Sequence, residues 1–404
     1  MAADNAGILT INGGSSSIRF AMFEAGEVPQ RQLSGKIDRI GASGTTLLLD
    51  SPAGKAVAPL RMAAADHRTA VAFLLDWLAA EPLFASVQVV AHRVVHGMKH
   101  SEPERVTAKL LAELRRITPY APDHLPREIG LIEAFQKRYP KLPQVVCFDT
   151  AFHRTMPPVA RLLPIPRRYS AKGVERYGFH GLSYAYLMEA LRAADPVAAK
   201  GRVILAHLGH GASLAAIRDG RSVDTSMGLT PAAGLVMGTR TGDVDPGLVG
   251  YLSRAQGLTA ARFEHMANHE SGLLGVSGTS ADMRDLLARE TTDGRAAEAI
   301  ALFCYQAKKW IGSFAAVLGG LDALVFAGGV GENAPVVRAR ICEGLGFLGV
   351  SLDKRRNGRN AALISINNSP VAVRVIATDE EIVLAKLALQ VLSQRGEQRT
   401  PRAR

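Results

Sequence analysis

Ile8-Leu9-Thr10-Ile11-Asn12-Gly13-Gly14-Ser15-Ser16-Ser17-Ile18-Arg19 breaks an apolar β-forming run at an asparagine and crosses two glycines and three serines. It resumes as Ile18-Arg19-Phe20-Ala21-Met22-Phe23. The pattern predicts a strand, a tight turn and a strand returning beside it. Taken alone, the hairpin has two readings: an ordinary serine-rich turn, or a concave anion site of backbone N–H groups and hydroxyls. The chain repeats the pattern in its other half, from Arg202 through His207-Leu208-Gly209-His210-Gly211-Ala212-Ser213 to Ile217, closed by Asp219-Gly220. One such loop in each half predicts a duplicated α/β fold that grips a polyphosphate between two lobes.

Bulk properties agree. The chain has 404 residues, 47% apolar and 21% charged, enough for two soluble domains. No apolar run is long enough for a membrane span. Met1 to Gly7 has no signal core, and Cys147, Cys304 and Cys342 lie far apart in apolar contexts. The expectation is a cytoplasmic protein with buried free thiols. The net charge of +11 comes from dispersed basic residues without the aromatic–basic pattern of a nucleic-acid binder. Part of it falls in residues 395–404, expected as a disordered basic tail.

Along the chain, Arg68 to Ala80 has helical spacing, and Val87 to Val95 reads as a strand leading into Arg93-Val94-Val95-His96-Gly97. Thr107 caps a predicted helix to Arg116, and Pro126 opens another to Tyr139. Val145 to Phe148 is a short buried strand with Asp149 at its C-terminal end, where open α/β sheets place ligands. A Pro- and Gly-interrupted stretch from Pro157 to Gly181 precedes a helix near Tyr184 to Ala194. The polar, Gly-rich segments at 225–231 and 237–247 are expected to line a site. Then come a long helix from Arg295 to Leu318, a strand from Ala323 to Ala327, a helix from Pro335 to Leu345, a strand at 373–377 and a last helix after Thr378.

Several motifs admit more than one chemistry. Gly329-Val330-Gly331-Glu332-Asn333-Ala334 matches the dinucleotide fingerprint G-x-G-x-x-A, but its late position favours a glycine-lined nucleotide surface over NAD. No P-loop sequence is present. His207 and His210 could ligate metal, yet no cysteine or carboxylate stands beside them, which favours phosphate contact or structure. Asp243 and Asp245 fit either a metal pair or Asx turns. Arg93 and Arg240, one per half and each near glycine, suit bidentate capture of phosphate or carboxylate.

Together these motifs resemble the acetate kinase family of acyl-phosphate-forming kinases over nearly the whole chain. The matching segments are Asn12 to Arg19, Ala91 to Gly97, Phe148 to His153, Arg176 to Gly181, His207 to Ser213, Met237 to Pro246, Ser277 to Arg284 and Gly328 to Asn333. The resemblance implies the duplicated two-domain, actin-like (ribonuclease H-like) ATPase fold, with the active site in the interdomain cleft, and a homodimer. It places 1–149 with 380–404 in a first lobe on the acyl and phosphate side, and 150–379 in a nucleotide-binding second lobe.

It further implies reversible, Mg²⁺- or Mn²⁺-dependent in-line transfer of the ATP γ-phosphate to acetate, giving acetyl phosphate and ADP. Propionate or butyrate kinase is the alternative, or an ATP-binding relative with impaired catalysis. By position, Asp149, Arg93, His180 and Arg240 would be catalytic. Arg93, Val95, His124, Phe179 and Pro231 would bind the acid. Asn12, Ser15, Ser17, Arg19, His207, Gly209, Gly211, Asp282, Met283, Arg284, Gly329, Gly331 and Asn333 would bind nucleotide, with Asn12 and Glu380 near the metal. No nucleic-acid or membrane partner is implied. The chain departs from the usual pattern at Gly13, Arg19, Asp123, Leu182, Tyr184, His210 and Asp379, and a carboxylate at Asp123 bears on the preferred acid.

Overall fold

The computed structural model describes residues 6–14, 16–41, 44–50, 59–62 and 66–398. The chain forms two compact units: residues up to Ala151 together with those from Asp379 onward, and Phe152–Thr378.

The first unit holds an eight-stranded sheet. Its strands are β1 (Gly7–Gly13), β2 (Ser17–Glu24), β3 (Gln30–Asp38), β4 (Thr46–Asp50), β5 (Leu60–Arg61), β6 (Val87–Val94), β7 (Glu104–Arg105) and β8 (Gln144–Phe148), in the order β5-β4-β3-β2-β1-β6-β8-β7. The first hairpin forms as expected, Asn12 facing Arg19 across an antiparallel ladder. β6 then pairs parallel to β1, and β8 parallel to β6.

The second unit repeats this plan. β9 (Arg202–Leu208), β10 (Ala212–Arg218), β11 (Arg221–Thr225), β12 (Ala323–Ala327) and β13 (Ala372–Val375) are ordered β11-β10-β9-β12-β13. Here too three antiparallel strands are followed by two parallel ones. The central run β3-β2-β1-β6-β8 of the first sheet has the same connectivity, so the duplication foreseen from two hairpins extends to five strands.

Burial fixes each face. Helix α1 (His67–Ala80) buries Val71, Leu74, Leu75 and Leu78, the stripe read from its spacing, against Leu9, Ile11, Phe20 and Phe135. Each such side chain contributes about 1.5–3 kcal/mol. Asp66 caps α1 by accepting from Thr69 N, and Thr107 caps α2 (Ala108–Arg116) by accepting from Leu110 N. Helix α3 (Leu125–Arg138) opens with Pro126 in its first turn. In the second unit the helix Gly181–Ala194 packs Tyr184, Leu187 and Leu191 on Val203, Leu205 and Ile217.

Three expectations are adjusted. The stretch from Pro157 contains two short helical turns, Pro158–Arg161 and Arg167–Ser170. The helix from Pro335 ends at Cys342, before Gly344, whose φ of +80° a helix cannot continue. The closing helix, Glu380–Gln398, absorbs residues 395–398 of the expected tail; the remainder lies outside the described residues. Cys147, Cys304 and Cys342 are free and buried. Among the described residues no helix is long and apolar enough to cross a membrane.

Candidate active site

In the first unit the residues singled out from the sequence gather at the ends of β1, β6 and β8. Gly14 N donates to Ser17 O at 2.7 Å and closes the hairpin. Ser17 is half-buried and Arg19 exposed, while Ser15 lies outside the described residues. Gly13 stands close to α3: a Cβ there would lie 2.8 Å from Leu131 Cδ1, so Leu131 occupies the room a larger residue would need. Arg93 donates from Nη2 to Asp149 Oδ2 at 2.7 Å and from Nη1 to Asn12 Oδ1 at 3.4 Å. Asn12 Nδ2 donates to Glu380 Oε2 at 2.8 Å. A chain of polar contacts thus links residues distant in sequence.

Its electrostatics are strained towards negative charge. Burial, and against the pull of Arg93 the charge of Asp149, hold the Glu380 carboxyl above the usual glutamate range. Burial and then Glu380 do the same to Glu381. Burial lowers the pKa of Arg93, but Asp149, Glu380 and Glu128 outweigh it and keep the guanidinium charged. A cation would relieve this crowding. Among the described residues no three His, Cys, Asp or Glu side chains form a metal cage. A sparse oxygen set of Asn12 and Glu380 still suits Mg²⁺, which keeps waters and substrate phosphates among its ligands.

Beside Arg93, Val95 is 2% exposed, and its backbone N–H donates to the buried Glu128 Oε2 at 3.0 Å. His124 sits at the N-terminus of α3, next to the half-buried Asp123. Asp379, another departure, accepts a fork from Arg31 Nη2 at 2.6 Å to both oxygens and caps the closing helix by accepting from Ile382 N.

In the second unit His180 stands at φ +59° at the head of the helix Gly181–Ala194. Its Nδ1 lies 2.8 Å from Ser213 Oγ, which shares a 2.5 Å hydrogen bond with the buried Tyr184 hydroxyl. The departure at Tyr184 therefore supports the residue that orients His180. The rings of His180 and His207 stack with centroids 4.3 Å apart, and His207 Nδ1 is 2.8 Å from Ser183 Oγ. Gly209 N donates to Gly211 O at 3.0 Å. A Cβ on Gly211 would lie 3.3 Å from His180 Nε2 and 3.8 Å from Arg240 Nη1, so hairpin, histidine and arginine converge. Arg240 Nη1 also donates to Pro231 O at 3.0 Å. Phe179 is 1% exposed, and the buried His153 Nε2 is 3.0 Å from its carbonyl oxygen. His210 O accepts from Gly238 N, and its ring fills the space a Cβ on Gly238 would need.

The remaining expected nucleotide residues lie on two loops. Asp282 caps a short helix, Met283–Arg289, and takes the Arg284 guanidinium. Met283 is buried. Gly329 is exposed with open space where a Cβ would stand, while Gly331 is buried and Asn333 Nδ2 donates to Gly329 O. Asp245 accepts from the backbone N–H of Gly247, two residues on, as in an Asx turn, whereas Asp243 accepts from Gly234 N, nine residues back, and pins one loop to another.

Several supporting residues had been passed over in the sequence. Glu332 Oε1 accepts from Gly328 N at 2.8 Å and Thr378 N at 3.2 Å. Arg338, fully buried, donates to Gly331 O and Glu332 O and to Asn357 and Asn360, locking the glycine turn from behind. The G-x-G-E-N string could have flagged Glu332; Arg338 sits in a helical pattern that reads as solvated.

A profile of the Acetokinase family matches residues 7–386. The chain belongs to that family. It is 44% identical to an acetate kinase of Methylocella silvestris over 96% of this chain and 98% of that protein. It is 43% identical to a propionate kinase of Citrobacter rodentium over 95% and 96%. Among solved structures, a propionate kinase from Francisella tularensis superposes with a TM-score of 0.89 at 35% identity, covering 96% of this chain and all of that one.

Proposed function

We propose that this acetokinase-family chain is an acetate kinase that transfers the γ-phosphoryl group of ATP reversibly to acetate. The observation that carries the reading is a set of cationic and hydrogen-bonding groups: Arg93 paired with the buried Asp149 in one unit, and His180, Gly211 and Arg240 convergent in the other.

An acid such as acetate is ionised near neutral pH and attacks as it stands, so the protein needs neither a nucleophile nor a strong base. It needs positioning and positive charge around the equatorial oxygens. Arg93 would hold the acid carboxylate and, with Arg240, the moving phosphoryl group. His180, its Nδ1 engaged by Ser213, would present the ring to that group. Asp149 keeps Arg93 aimed. Val95, Phe179, Pro231 and His124 would bound the acyl end. The hairpin residues Asn12, Ser15, Ser17 and Arg19 and the loop residues His207, Gly209 and Gly211 would take phosphates; Asp282, Met283, Arg284, Gly329, Gly331 and Asn333 would surround the adenosine. Asn12 and Glu380 would hold Mg²⁺ or Mn²⁺, which when bound neutralises phosphate charge. A homodimer is the proposed assembly, checked by size exclusion with light scattering.

Propionate is the second reading, favoured by relatives named propionate kinase at nearly the same identity. The test is hydroxylamine trapping of acyl phosphate from Mg-ATP with acetate, propionate and butyrate in parallel. Fastest turnover of acetate supports the first reading, and of propionate the second. No product from any of the three would overturn both.

A further inference from the structure

We propose that Glu128 is a positioning residue for the acid-binding side, fastening the first turn of α3 to the end of β6. Its backbone N–H donates to His124 O at 3.1 Å. Its side-chain Oε2 accepts from Val95 N at 3.0 Å. One residue therefore ties His124, at the head of α3, to the first amide beyond β6, two residues after Arg93. The side chain is 3% exposed and lies within electrostatic range of Arg93.

A carboxyl this deeply buried is costly and normally fully hydrogen-bonded. Oε1 has no hydrogen-bond partner among the described residues, and neither has the buried Nε of Arg93. A side chain retained only for packing would do better as leucine or methionine. What Glu128 supplies instead is an acceptor for Val95 N–H. Without it that buried amide is orphaned, and β6 and α3 lose their common anchor just where Arg93, Val95 and His124 are placed. This inference rests on the reading of those three as the acid-binding residues.

The test compares Glu128→Ala, Glu128→Asp and Glu128→Gln in steady-state kinetics, with Arg93→Ala in parallel and thermal melts of all four. Glutamine keeps an acceptor at the same reach; aspartate keeps the charge but is one methylene short. The expected result is a KM for the carboxylic acid raised about tenfold in the Ala and Asp variants, with the KM for ATP unchanged and recovery to within about threefold in the Gln variant. An unchanged acid KM in Ala and Asp overturns the proposal, as does an Asp variant that matches the wild type while Gln does not, which would make charge rather than reach decisive. Should Ala fail to fold, the Asp-against-Gln contrast decides alone. Full activity in Arg93→Ala would instead remove the acid-binding reading itself.

Discussion

Arg93 and Asp149 meet at the carboxyl ends of neighbouring parallel strands, Nη2 of the one 2.7 Å from Oδ2 of the other, and the carboxylate is wholly enclosed. Removing the arginine therefore does two things. Arg93→Ala should cut kcat by ~10²–10³, the cost of a lost oxyanion-type donor. It should also destabilise the fold by about 3–5 kcal/mol, because a buried carboxylate is left without its cation. Asp149→Asn should lose activity while melting closer to the wild type. Hydroxamate assays beside thermal melts check this; an alanine variant within tenfold of wild-type kcat would remove the assigned role.

Glu128 should leave a mark on the pH dependence of stability. Burial, opposed by Arg93 and the Val95 amide, raises its carboxyl from 4.5 to about 7. The folded chain then holds a proton that the unfolded chain releases, so its stability falls as pH rises across that window. Glu128→Gln removes the titration. The variant should gain on the wild type between pH 5 and 8, by up to about 3 kcal/mol. Denaturant curves that stay parallel at the two pH values would contradict it.

Gly211 separates geometry from folding. Its φ is not among the positive ones, so alanine is permitted by the backbone, yet the new methyl would stand 3.3 Å from His180 Nε2. Gly211→Ala should slow transfer by about 10–10², the scale set by ångström misplacement of reacting groups, with little change in melting temperature. Equal loss of activity and stability would point to general disruption.

Asp379 pairs with Arg31 and caps the closing helix, with the two side chains 31% and 28% exposed. Asp379→Ala should cost about 1–2 kcal/mol, mostly through the cap. Asp379→Asn, which keeps the cap, should cost under about 1 kcal/mol, and 0.5 M salt should narrow the remaining gap. A salt-insensitive Asn variant as weak as Ala would refute the division.

What could be read from the sequence follows from period and punctuation. The two hairpins, α1 with its Val71-Leu74-Leu75-Leu78 stripe and the strand ends carrying Arg93 and Asp149 were legible because apolar spacing and Gly/Ser turns are local signals. The residues behind them were not. Glu128 and Arg338 carry charges that spacing assigns to solvent, and only packing across distant segments encloses them. Ser213 and Glu332 stood inside recognised motifs, but their partners His180, Tyr184 and Thr378 are far along the chain. His210, Tyr184 and Gly13 looked like departures until Gly238, Ser213 and Leu131 appeared opposite them.

The first unit is interrupted in sequence. Its sheet is complete by Phe148, but the closing helix that packs on β1, β6 and β8 is made only after all of 152–378. During synthesis, the second unit, being continuous, has every strand in hand before the first unit has its last helix. Order of completion is thus inverted relative to order of translation. Until the ribosome delivers Glu380, Asn12 lacks its carboxylate partner, and the nascent first sheet exposes the apolar strip that helix will cover. The Asn12–Glu380 pair thus forms only after the whole second unit has been made.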